Sequence, residues 1–186
     1  MIFNRHSELE GKHAFLSPSK YHWINYDDDK FDATYRTQLA AARGTRLHAL
    51  AMEHILLGVK LPRTTQTLDA YVNDAIGYRM TPELTLYYSP FCFGQVDALC
   101  FRKNVLRIHD LKTGVTKASF KQLMVYAALF CLEYDVKPGQ IDIELRIYQN
   151  DEVSVYVPDV IDIINIMGTI KRFSERIERI RSEDLG

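Results

Sequence analysis

The chain has 186 residues, enough for one well-buried domain, and with 47% hydrophobic and 25% charged residues it has the composition of a globular protein rather than a disordered or fibrous one. Its net charge of −1 excludes a chain that binds nucleic acid through bulk positive charge. Its longest apolar stretches are too short and interrupted to span a bilayer, and no basic-then-apolar leader opens it, so a cytoplasmic protein with no membrane partner is expected.

Along the chain, Ser17-Pro18 reads as an N-cap followed by proline at the first helical position. The helix it opens would carry Tyr21, Trp23 and Tyr26, and Asp27-Asp28-Asp29 would break it. From about Phe31 to Leu57 apolar residues recur at helical spacing, with Gly44 as an interruption or a point of close packing. Thr67 to Tyr78 reads as a further helix.

After Pro82 the character changes. Strands are expected over Glu83–Tyr88, Phe91–Phe101 and Val105–Lys112, then a helix over Ser119–Tyr134. A second hairpin follows, Ile141–Gln149 and Val153–Val157 with its turn at Asn150-Asp151, and an amphipathic helix runs from Val160 to Ile180. This order predicts an α/β fold, a mixed sheet of about five strands flanked by helices, in a single domain over 1–186. Its parts would be N-terminal helices over 17–79, a sheet and helix over 82–157, and a closing helix over 159–182.

The hairpin around Lys103-Asn104 brings chemistry together. A turn centred between those residues sets Arg102 against Val105, and counting five residues back sets Asp97 against Asp110. Opposed carboxylates repel across a sheet, and a cation between them relieves this. Hard oxygen ligands favour Mg²⁺ or Mn²⁺. Lys112 shares a face with Asp110 and would point into the same site. Gln122 and Tyr126, four apart on the next helix, would present an amide and a phenol to it. Two acids, a lysine and a divalent ion suffice for phosphodiester hydrolysis. The stretch 102–121 holds six basic residues and one acid, a local positive patch in which Lys117 and Lys121, with Arg43 and Arg46 upstream, are candidate DNA-backbone contacts.

Glu83 reads as a solvent-facing strand-edge carboxylate, less suited to a second metal, and His109 as structural because it points away from Asp110. The three cysteines, Cys92, Cys100 and Cys131, fit no metal pattern and read as buried thiols; no Gly-X-X-X-X-Gly-Lys run signals nucleotide binding.

The segments Gly94–Asp97 (a Gly-X-X-Asp strand), Asp110–Gly114 (Asp-X-Lys followed by Thr-Gly) and Gln122–Tyr126 (Gln-X-X-X-Tyr), in that order, resemble the successive motifs of the PD-(D/E)XK nuclease superfamily, and within it the RecB-type branch of helicase-linked, CRISPR-associated and phage exonucleases. Gly44–His48 resembles that branch's upstream Gly-Thr-X-X-His helix. The resemblance implies a restriction-endonuclease-like core. It implies metal binding by His48, Asp97, Asp110 and the main-chain carbonyl of Leu111, water activation by Lys112, and positioning by Gln122 and Tyr126. It implies a deoxyribonuclease using Mn²⁺ or Mg²⁺, an exonuclease acting on DNA in recombination, repair or replication, with a recombination or replication protein as a further partner; endonuclease or RNA-directed action, or a non-catalytic DNA-binding module, stays open, as does oligomeric state. Some members carry a four-cysteine iron–sulfur cluster; three cysteines predict none here. The chain's small size fits a phage protein acting in a host cytoplasm.

Overall fold

The computed structural model describes residues 7–9 and 11–184. The chain divides into two compact units, Met1–Arg43 and Gly44–Gly186, with the boundary inside helix α1 (Asp28–Leu57). In the first unit, the segment expected to be a helix is instead a pair of 3-10 turns over Pro18–Asn25, kinked at Lys20. Ser17 makes no side-chain cap there, because its hydroxyl bonds that of Ser19. The aspartates do not simply break a helix; they start one. Asp27 accepts from the Lys30 N–H at 2.8 Å, and Asp28 and Asp29 occupy the first turn, where negative charge suits the helix dipole. Phe15 packs edge-on to Tyr35 and Phe31 within this unit.

The second unit is built on a five-stranded mixed sheet in the order β1 (Thr81–Ser89), β2 (Cys92–Arg102), β3 (Val105–Leu111), β4 (Asp142–Gln149), β5 (Glu152–Tyr156). Both predicted hairpin turns form with two residues in the left-handed region, Lys103-Asn104 and Asn150-Asp151, the geometry that matches strand twist. They set Arg102 against Val105 and Gln149 against Glu152. The one parallel pair, β3 with β4, is joined through helix α3 (Lys121–Glu133), as a parallel pairing demands.

Side chains alternate across this sheet into two cores. Leu86, Leu99, Leu106, Ile108 and Leu145 pack with Leu123, Ala127 and Phe130 of α3 and with Ile163 and Ile170 of the last helix, α4 (Val160–Asp184). On the other face Ala98, Cys100, Leu111 and Tyr148 pack with Ala51 and Ile55 from the end of α1 and with Tyr71, Val72 and Ala75 of α2 (Thr67–Tyr78). His109 is fully buried on this second face, in contact with Tyr148 and Tyr78. The Tyr148 hydroxyl donates to Asp74 at 2.7 Å, so its remaining contact with His109 Nδ1, at 3.2 Å, requires the imidazole to donate; burial holds that ring neutral, with its pKa lowered to about 3. No helix among the described residues is long and apolar enough to cross a membrane.

The three cysteines are free. Burial pushes the thiol of Cys131 up to about 11 and raises those of Cys92 and Cys100. Because the thiolate is the reactive form, native protein at pH 8 should react slowly with a disulfide reagent, through half-buried Cys92 first, and release Cys100 and Cys131 only on unfolding. Rapid reaction of all three in the native state would contradict this packing.

Candidate metal centre

Four elements converge where β3 ends. Such strand ends, opposite a crossover helix, are the usual ligand positions of α/β sheets. The β2–β3 ladder is paired from Arg102↔Val105 to Ala98↔His109; one further step would set Asp97 against Asp110. There the pairing gives way to a side-chain contact, and the Leu111 N–H donates to Asp97 Oδ2 at 2.8 Å. Leu111 thus enters the site through its backbone while its side chain is buried in the second core.

Asp110 is only 3% exposed. Its Oδ1 accepts from Lys112 Nζ at 3.0 Å, and its Oδ2 is buried with no hydrogen-bond partner. Burial, and next the charge of Asp97, raise its pKa. Burial likewise raises that of Asp97, against the pull of the Leu111 N–H and of His48. A buried carboxylate oxygen without a donor costs about 1–3 kcal/mol or more, so this atom marks a place for a positive partner.

His48 comes from α1, one turn before Ala51. Its Nδ1 lies 3.6 Å from Asp97 Oδ2 and 4.0 Å from Glu83 Oε1. His48, Glu83 and Asp97 can each direct one ligand atom into a common space, those atoms lying within 4.8 Å of one another. Glu83 is therefore not the solvent-facing edge carboxylate expected from sequence; it is half-buried beside the histidine. Its backbone has φ 51°, a left-handed conformation inside a strand. That costs about 1–3 kcal/mol for a residue with a side chain and is characteristic of functional positions. The β1–β2 pairing is regular on both sides, at Pro82↔Ala98 and Leu84↔Val96, and omits Glu83 and Asp97. Asp110, in contrast, stands outside the group of three and meets it through its proximity to Asp97. The charges of Asp97, Glu83 and Asp110 also act on Tyr71, a buried α2 phenol whose proton affinity burial already raises.

Lys112 reaches from Asp110 to Gln122 Oε1, 3.1 Å away. Gln122 Nε2 lies 3.5 Å from the Tyr126 hydroxyl, which donates to the Gln95 carbonyl at 2.6 Å. A side-chain chain thus runs from Asp110 through Lys112, Gln122 and Tyr126 back to β2. Two glycines permit the approach. A Cβ on Gly94 would come within 3.1 Å of the Tyr126 ring, and one on Gly44 within 2.7 Å of Thr113 Oγ1, so Gly44 serves close packing. The loop from Lys112 to α3 is clamped by Gln149, whose Nε2 donates to the Gly114 and Thr116 carbonyls and whose Oε1 accepts from the Ala118 N–H. Arg46, Lys117 and Lys121 are exposed and make no contact with the acidic cluster in the structure, and Arg43 lies at the end of the first unit, also exposed.

Sequence reading ranks Glu83 too low and leaves out Tyr71 and Gln149. Counting back from the β1–β2 turn does not reach Glu83, because the register shifts between Tyr87 and Ser89; the pairs Thr85↔Gln95 and Leu84↔Val96 that bring Glu83 beside Asp97 lie beyond that irregularity.

The donor set fits a hard divalent ion: carboxylates, one imidazole, and an orphaned carboxylate oxygen, with no thiolate. With no ion, Asp97, Glu83 and Asp110 face one ammonium, Lys112, and repel. Asp97→Asn keeps an acceptor for the Leu111 N–H and removes one charge. In chelator it should melt higher than wild type, by about 1 kcal/mol, and it should lose the stabilisation that Mn²⁺ gives wild type. A lower melting temperature in chelator together with an intact Mn²⁺ shift would refute the assignment.

No protein-family model matches the chain, and comparison with curated proteins gave no match.

Proposed function

We propose that the chain is a divalent-metal-dependent deoxyribonuclease with a restriction-endonuclease-like core, acting as an exonuclease in recombination, repair or replication. The observation that carries this reading is the Asp110 carboxylate, buried beside Asp97 with one oxygen held by Lys112 and the other free. Buried side-chain polar atoms are in the large majority hydrogen-bonded, so an orphaned oxygen on a buried acid calls for a partner. The resemblance of the three ordered motifs and of Gly44–His48 to RecB-type nucleases supports the same reading.

In this reading His48, Glu83 and Asp97 would hold the ion, and Asp110, next to Asp97, would add a further carboxylate. The ion, when bound, polarises a phosphoryl oxygen and lowers the pKa of water. The residues of the chain do the rest. Asp110 and Gln122 hold the Lys112 ammonium from two sides, fixing a positive charge where negative charge develops on the phosphate. Water adds to phosphorus, one P–O ester bond breaks, and the departing oxygen takes up a proton. Tyr126, anchored on the Gln95 carbonyl, fixes Gln122 and hence the lysine. Arg46, Lys117 and Lys121 hold the DNA backbone through charge.

The test is cleavage of end-labelled linear and circular DNA by purified protein. An imidazole ligand favours Mn²⁺, so Mn²⁺ should support faster cleavage than Mg²⁺. Lys112→Ala should lower the rate about 100-fold or more, the usual cost of removing one transition-state charge partner. Intact DNA with wild type and variant alike would sink the enzyme reading. Nicked circles would replace the exonuclease by an endonuclease, and cleavage confined to RNA would move the substrate.

A further inference from the structure

The β1–β2 hairpin carries a feature the metal centre does not use. Tyr87 and Phe93 are ladder partners, and their rings stack with centroids 6.3 Å apart and planes 28° from parallel. Both are exposed, at 47% and 61%. Their neighbours Leu84, Leu86 and Tyr88 turn inward onto the α3 core, so Tyr87 and Phe93, with Thr85 and Gln95 beside them, occupy the opposite face. That is the face on which α1 places His48 against Glu83 and Asp97.

The aromatic pair and the metal ligands therefore lie on one side of one strand pair. Four residue steps of strand take Phe93 to Asp97, about 13 Å. This is the reach of a few nucleotides. Between Glu83 and Asp97 the sequence holds no charged residue, and the carboxylate that meets this strip from α3, Glu133, is engaged by the Tyr87 N–H at 2.8 Å. Thr85 and Gln95 border the path with side chains that can hydrogen-bond. Exposed rings that a soluble fold gains nothing by showing to water, continuous with an acidic, metal-binding end, match the chemistry of a strand whose bases are unpaired. Bases stack on aromatic faces without regard to sequence, while a duplex hides its own base faces.

We propose that Tyr87 and Phe93 form a base-stacking platform that receives single-stranded DNA and leads it to the metal centre. The proposal rests on the nuclease reading for its choice of ligand. Its test does not use cleavage. Binding of a labelled thymidine 12-mer is measured in chelator, beside a 12-mer of the same charge whose sites are abasic. Wild type should prefer the base-bearing strand by about tenfold or more, the scale of one stacked base. Tyr87→Ala/Phe93→Ala should lose that preference while keeping the affinity for the abasic strand. Phe93→Leu, which stays apolar, should lose it in part, and Phe93→Trp should restore it with quenched indole emission. Equal wild-type affinity for the two strands would overturn the platform, as would a preference that survives in the double variant. So would a wild-type dimer that the double variant converts to monomer, which would assign the rings to a second copy. Base preference without cleavage in Mn²⁺ would keep the platform and sink the nuclease; cleavage without base preference would do the reverse.

Discussion

Two carboxylates, Asp97 and Asp110, are pressed together at the end of a sheet where water is largely excluded. Burial raises the cost of charging both; the charge of Asp97 adds to it at Asp110, and that of Glu83 adds to it at Asp97. Much of the surrounding structure offsets that cost. The Leu111 N–H steadies Asp97, Lys112 neutralises one oxygen of Asp110, and His48 approaches from α1. The offset is incomplete, because Glu83 adds a third acid and Asp110 Oδ2 is left without a donor. A chain selected for stability alone would place a leucine or an amide at one of these positions. The imbalance is what a cation site looks like before the cation is counted.

The same trade appears in the backbone. Glu83 holds a left-handed conformation within β1, and the ladder skips it and Asp97. The strain turns a carboxylate toward His48 on the far side of the sheet from α3. Around this point the fold is conventional and stiff. A parallel β3–β4 pair with α3 between them delivers Lys112 and Gln122 to one spot, and the buried Gln149 amide fastens the loop that joins them. Strain sits at Glu83, and rigidity in the elements around it.

The sheet and its hairpins were legible because short-range chemistry sets them. Lys103-Asn104 closes a two-residue turn, and that turn alone determines that Arg102 meets Val105 and that Asp97 approaches Asp110. The helices over 67–78 and 160–180 were legible from periodicity. Three things were not. Pro18–Asn25 has helix-start signals but too little apolar periodicity to extend past 3-10 turns. Gln149 reads as a strand-end polar residue, and its role appears only when the 113–118 loop folds back over it. Glu83 depends on a φ that no local signal announces, since left-handed glutamate within a strand is uncommon. Long-range pairing and backbone strain are the terms a single sequence conceals.

Anomalous diffraction from crystals soaked in Mn²⁺ tests directly whether this cluster holds a divalent ion. One strong peak within about 2.5 Å of ligand atoms from His48, Asp97 and Glu83 or Asp110 is expected. A cluster without a peak, or manganese bound only elsewhere, would contradict it.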